Sequence, residues 1–147
     1  RTMKKENHAP LDNLEVHLRS NQDSRGLLTF AEETKDIPFP LKRMFWITDV
    51  PEKAKRGGHA HTTCKEIVCC VKGSFRLKID NGRECREFLL NRPDYAVVIP
   101  EGVWCSLEEF AQDSVVVVGA SEEFTLDGYI RDFDDFMSIY GKKEDSE

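Results

Sequence analysis

The sequence predicts an all-β domain: a single closed or nearly closed β-barrel of the jelly-roll kind, with a short C-terminal helix. Three observations carry that prediction. Short apolar runs alternate with turn signals through most of the chain. Two of the turns, Val71-Lys72-Gly73-Ser74 and Asp80-Asn81-Gly82-Arg83, hold the Gly and Asn that tolerate the positive φ of tight hairpins. Some nine such runs within 147 residues suit one barrel rather than two domains.

Taken in order, strands are expected at residues 14–18, 26–31 and 43–48, each a short apolar run bounded by polar stretches. Residues 66–71 and 74–79 flank the first hairpin turn, and 74–79 and 85–89 flank the second. Residues 95–99 and 103–107 stand on either side of Pro100-Glu101-Gly102. Residues 115–120 open with four valines, consistent with a strand buried on both faces. Near the end, Asp132, Asp134 and Asp135 precede Phe136, Ile139 and Tyr140, which reads either as a helix around 129–140 or as a turn and a short helix. The barrel domain is expected over 13–140, between flexible polar ends at 1–12 and 141–147.

Composition narrows the function. The chain is 39% hydrophobic with 9 Phe, 3 Tyr and 2 Trp, enough for one core. A net charge of −6 and a pI near 5.3 exclude a nucleic-acid binder that works by neutralising phosphates. One small anionic ligand is still compatible, since a few local arginines can hold a phosphate inside an acidic protein. No run approaches the roughly 20 apolar residues of a membrane helix, and the opening Arg1-Thr2-Met3-Lys4-Lys5-Glu6 lacks a secretory apolar segment. The five cysteines, Cys64, Cys69, Cys70, Cys85 and Cys105, form neither a disulfide framework nor a C-x2-C zinc pattern. A cytoplasmic protein with reduced thiols is expected.

Two of the four histidines sit as His59-Ala60-His61. On a strand both imidazoles project from the same face. Glu66 and Gly73 follow, and later Pro100-Glu101-Gly102-Val103-Trp104-Cys105. This pattern resembles the paired cupin signatures, H-x-H with a carboxylate and Gly, then P-x-G-x-x-H, with Cys105 in place of the second motif's histidine. In cupins these residues surround a divalent metal inside a small β-barrel. On a regular strand Glu66, an odd number of residues from His61, would face outward, so a bulge or bend is needed to turn it in.

Longer segments carry a narrower resemblance. Asp36-Ile37-Pro38-Phe39-Pro40-Leu41-Lys42-Arg43 and Arg56-Gly57-Gly58-His59-Ala60-His61 are similar to the dTDP-4-keto-6-deoxyglucose 3,4-ketoisomerases of the WxcM-like, FdtA/QdtA type. So are Leu90-Asn91-Arg92-Pro93, Val98-Ile99-Pro100-Glu101-Gly102-Val103-Trp104, Ala120-Ser121 and Tyr129-Ile130-Arg131-Asp132-Phe133-Asp134-Asp135-Phe136. The resemblance runs from about residue 26 to residue 136. It implies a homodimeric cupin without metal or other cofactor, holding a dTDP-linked keto-sugar and moving its carbonyl from C4 to C3 through an enediol. The base is His59 or His61, with the other as shuttle or orienting donor. Arg43 and Arg56 are the candidate diphosphate contacts, and Trp46, Trp104 and Cys105 complete the candidate substrate-binding set, the two tryptophans by stacking on sugar or thymine.

The chain departs from that family at several points. Phe45 and Trp46 stand where tyrosines are usual, Thr62 where a cation is, Cys105 where an imidazole is, and Glu66 where Gln is common. Two other readings are therefore weighed: a metal-dependent cupin enzyme built on His59, His61, Glu66 and Cys105, and a sugar-nucleotide-binding module without turnover.

Overall fold

A computed structural model describes residues 8–142. The elements run β1 (Glu15–His17), β2 (Arg19–Asp23), β3 (Gly26–Phe30), β4 (Arg43–Ile47), β5 (Arg56–His61) and β6 (Glu66–Lys72). They continue with β7 (Phe75–Asp80), β8 (Cys85–Leu90), β9 (Tyr95–Ile99), β10 (Trp104–Glu108), β11 (Val115–Ala120), β12 (Tyr129–Ile130) and α1 (Phe133–Tyr140). One antiparallel sheet has the order β1-β9-β6-β11-β4, and a second has the order β12-β5-β10-β7-β8. The core lies between them. Val68, Cys70, Val97, Ile99, Val116 and Val118 of the first sheet meet Phe75, Leu77, Ile79, Phe88, Leu90, Cys105 and Leu107 of the second.

The second expected hairpin forms, joining β7 to β8, but the first is corrected: residues 71–74 carry the chain from β6 in the first sheet to β7 in the second, which do not pair, and Gly73 takes φ 83° at that crossing. At the second, the Asn81 side-chain oxygen accepts the backbone N–H groups of Arg83 and Glu84, each at 2.8 Å, and Gly82 takes φ 93°. The four-valine run becomes β11, at the centre of its sheet between β6 and β4. Val116 and Val118 enter the core, while Val117 lies on the outer face beside Leu41 and Met44.

Three elements differ from expectation. The polar run of β2 pairs with β3 as an exposed two-stranded hairpin, held by backbone pairing and not by an apolar face. Residues 129–130 form a strand on β5, not the start of a helix, and α1 begins at Phe133. There the Asp132 side chain caps the helix by accepting the Asp135 N–H at 3.0 Å, a contact worth about 1 kcal/mol. Residues 8–12, expected within a flexible end, are tied down: Leu11 is buried in the main core and the Ala9 carbonyl accepts from Asn81 at 2.7 Å. Residues 1–7 and 143–147, the remainder of the expected flexible ends apart from 141–142, lie outside the described residues.

Helix α1 lies across the outer face of the second sheet. Phe136 and Tyr140 are buried against Ala60, whose small side chain admits the helix. Tyr140 also reaches the Gly102 turn, where an added Cβ would stand 2.9 Å from its ring. That turn in turn donates the Gly102 N–H to the carbonyl of His61 at 2.7 Å.

The register of β5 on β10 slips between Cys105 and Ser106: Cys105 faces His59 and Ser106 faces Gly57, so Gly58 is an extra, bulged residue. Gly57 and Gly58 have φ 78° and 72°. The bulge shifts the alternation of β5, bringing Arg56 to the same interior face as His59. A Cβ on Gly57 would lie 2.9 Å from the Cys105 carbonyl oxygen, whereas one on Gly58 meets open space. Gly57→Ala is therefore expected to destabilise the fold by about 1–3 kcal/mol and Gly58→Ala by less. Chemical denaturation of the two variants checks the ranking.

Candidate active site

The interior face of β5 presents His59 and His61, while Ala60 between them points outward beneath α1. The imidazole centroids are 4.9 Å apart and nearly perpendicular. Residues 62–65 then carry the chain from the second sheet to the first. Backbone and side-chain bonds pin this connection: the Thr62 N–H donates to Gly128, and the Lys65 N–H to the Ser121 hydroxyl.

Glu66 follows as the first residue of β6, in register with Ile99 on one side and Ala120 on the other. Its carboxylate points inward, 3.4 Å from His61 Nε2, with both side chains only 6% exposed. The bulge or bend expected to turn Glu66 inward is present as a bend, the crossing of residues 62–65 from one sheet to the other. Odd–even counting holds along one strand, and here the chain changes sheets between His61 and Glu66.

Cys105 on β10 closes the floor, and its thiol, His59 and Glu66 offer donor atoms all within 4.8 Å of one another. These three could hold a divalent cation by donor type. Burial first, and then the Glu66 charge, push the Cys105 thiol far above its ordinary range, so it is a neutral thiol in this cleft and no nucleophile.

Tyr129 was not singled out as a site residue by the sequence, yet it forms one wall. It pairs directly with His61 across β12 and β5, and its ring centroid lies 4.4 Å from His61 and 5.0 Å from His59. The Arg131 guanidinium covers the same ring at 4.3 Å. The signal for this wall was present in the Tyr129-Ile130-Arg131 segment, but reading that segment as a helix start hid its pairing.

The cleft, about 50 Å³, is lined by Arg56, His59, Glu66 and Cys105 among apolar residues of both sheets, including Phe45 and Ile47 of β4. Arg43, also on β4, is half-buried near one end. Its Nε donates to the Glu122 carbonyl at 3.2 Å and its guanidinium stacks on Phe45 and Phe124. Phe124 in turn touches Tyr129.

Neither tryptophan joins this group. Trp46 alternates out of phase with Phe45 and Ile47, and is 68% exposed on the outer face of β4. Trp104 lies on the outer face of β10 beneath α1, with ring contacts to Phe133 at 5.2 Å and Phe136 at 5.7 Å. The stacking role expected of both is corrected: one is a surface residue and the other belongs to the small core under the helix.

The two imidazoles have different surroundings. Burial lowers the pKa of His59 below its ordinary value of 6.5, and the adjacent His61 lowers it further. The Glu66 charge and a backbone hydrogen bond with Gly57 oppose that shift without cancelling it, and Arg131 adds a smaller lowering. His59 is therefore a neutral imidazole at pH 7, able to accept a proton.

Two antiparallel sheets closed around a pair of imidazoles define a small cupin-type barrel with an acid–base interior. Residues 12–141 match the family model described as WxcM-like, C-terminal (FdtA), and the chain belongs to that family. It is 33% identical over 132 residues to the TDP-4-oxo-6-deoxy-alpha-D-glucose-3,4-oxoisomerase of Aneurinibacillus thermoaerophilus, covering 90% of this chain and 95% of the relative. A 3,4-ketoisomerase from Helicobacter canadensis superposes with a TM-score of 0.84 at 30% identity, over 88% of this chain and 97% of the other. A variant of the 3,4-ketoisomerase QdtA from Thermoanaerobacterium thermosaccharolyticum, in complex with TDP-4-keto-6-deoxyglucose, superposes with a TM-score of 0.83 at 30% identity, over 88% and 94%.

As pH falls through 6.5, an unfolded chain takes up a proton on this histidine before the folded one does. His59 therefore subtracts stability on acidification. In an NMR titration of the folded protein, the His59 ring is expected to protonate with a midpoint below 6.5. A midpoint above that value would contradict the electrostatic description of the cleft.

Proposed function

We propose that this chain is a 3,4-ketoisomerase of a dTDP-linked 4-keto-6-deoxyhexose, with His59 as the proton acceptor. The observation that carries the reading is the pair of interior imidazoles in a closed barrel, on a chain whose relatives are 3,4-ketoisomerases. The proton on C3 of the sugar is acidified by the neighbouring C4 carbonyl. His59, neutral and lining the cleft, accepts it, while the carbonyl oxygen gains a proton and a C3=C4 enediol forms. The C3 hydroxyl then loses its proton as its oxygen becomes the new carbonyl, and C4 is protonated. His61, 4.9 Å from His59 between ring centroids, is the second proton-carrying group. No atom is gained or lost, and no electrons leave the substrate.

Arg56 lines the cleft beside His59, and Arg43 stands at its edge. Guanidinium groups offer paired donors, and we assign these two to the diphosphate. Cys105 contributes a small apolar surface to the floor.

The chain is further proposed to act as a homodimer in the cytoplasm. For the dimer, Met44 and Trp46 expose apolar surface on β4, and Leu27, Leu28 and Phe30 do so on the β3 hairpin. The outer face of the first sheet also carries an apolar groove lined by Leu18, Ile37, Leu41 and Met44. Contiguous exposed apolar surface of this kind is characteristic of an interface. For the compartment, the five cysteines are unpaired thiols, and no described helix is long and apolar enough to cross a membrane.

His59→Asn and His61→Asn are each expected to cut turnover of dTDP-4-keto-6-deoxyglucose by about 10²–10⁴-fold, leaving dTDP affinity nearly intact. Arg56→Ala should weaken dTDP binding by about 1.5–3 kcal/mol, the scale of a charged hydrogen bond. Proton NMR in D2O, which detects deuterium entering C3, reads the first effect, and calorimetric titration reads the second. Near-normal turnover in both histidine variants would remove the catalytic assignment. Separately, sedimentation should give a dimer at micromolar concentration, and Trp46→Glu should shift it toward monomer.

A further inference from the structure

We infer that Glu66 is a positioning residue for this proton transfer: its carboxylate faces His61 Nε2, keeps a proton on that nitrogen and leaves Nδ1 to exchange protons. The inference rests on the ketoisomerase reading for its catalytic consequence, but its geometry stands apart from it. Glu66 Oε2 lies 3.4 Å from His61 Nε2. That nitrogen is fully buried and makes no hydrogen bond of closed geometry with any described group. A neutral imidazole carries one N–H. With a buried Nε2 facing a buried carboxylate oxygen, a proton belongs on Nε2, because two facing lone pairs would repel each other.

The backbone supports this placement. Glu66 is flanked on both sides by paired strands, at Ile99 and Ala120, so its Cα cannot drift. His61 is fixed by its cross-strand partner Tyr129 and by the Gly102 N–H on its carbonyl. The groups around the pair are His59, Cys105 and Tyr129. A gap of 3.4 Å is long for a hydrogen bond, and catalytic hydrogen bonds of this type tighten when substrate fills the site. His59 has a comparable orienting partner in the Gly57 backbone.

The test uses 15N-histidine NMR, which distinguishes the two neutral tautomers, together with turnover. In the wild-type protein without ligand, His61 should be the Nε2–H tautomer. Glu66→Gln should keep that tautomer, since the amide oxygen can accept the same N–H, and should keep turnover within about tenfold of wild type. Glu66→Leu should release the tautomer to a mixture and lower kcat by about 10–100-fold, with KM little changed.

An Nδ1–H tautomer in the wild type would overturn the inference even if Glu66→Leu failed to fold. So would a folded Glu66→Leu variant with an unchanged tautomer or unchanged kcat. If the wild type had the Nε2–H tautomer and no ketoisomerase turnover, the activity reading would fail while the positioning of His61 stood.

Discussion

The structure depends on three ionisable side chains being held in the gap between two apolar sheets. His59, His61 and Glu66 come from opposing sheets, and bringing them together removes them from water. Burying polar groups is costly unless each finds a partner. Here the partners are one another, the Gly57 backbone and the Tyr129 ring. The apolar contacts that offset the cost lie deeper, where Phe75, Leu77, Val97 and Val116 are fully buried. The barrel is therefore divided along its axis. One end provides stability, and the other keeps a small set of charges poised.

That division explains how few residues the chemistry requires. Shifting a carbonyl by one carbon moves only protons, so the protein must supply groups that exchange protons near neutrality and a cavity that protects an enediol from water. In the proposed mechanism two imidazoles, His59 and His61, meet the first need. For the second, Phe45 and Cys105 line the cleft and the Tyr129 ring packs against both imidazoles. The cysteine illustrates what burial does to reactivity: in an exposed, basic setting it would be a nucleophile, and here it is filling.

Much of the barrel was legible in the sequence because its signals are local. The Asn81-Gly82 turn needs only four residues, and the alternation of Phe75, Leu77 and Ile79 needs six. What was not legible required knowing which strand lies beside which. Trp46 could not be assigned a side, since Met44, Phe45 and Ile47 are apolar too and the phase of β4 is set only by its pairing with β11. The same holds for Trp104, whose outward side is apolar because α1 covers it. Strand β2 has no apolar pattern to detect, and β12 is two residues long. The Gly57-Gly58 bulge was visible as composition but not as geometry, so its effect on Arg56 could not be foreseen.

The order of the strands has a consequence for how the chain is made. Strand β5 bears both imidazoles, and its two neighbours, β10 and β12, both come later in the chain, by more than forty residues in the case of β10. During synthesis the histidines are therefore in place long before anything can flank them. The Tyr129 wall and the α1 cover are contributed by the last fifth of the polypeptide, after the hairpin of β7 and β8 has already been available to pair. Pairings across such sequence distances close slowly, because the loop entropy must be paid before the contacts form. The end of the barrel that carries the imidazoles is thus completed by residues at the far end of the chain.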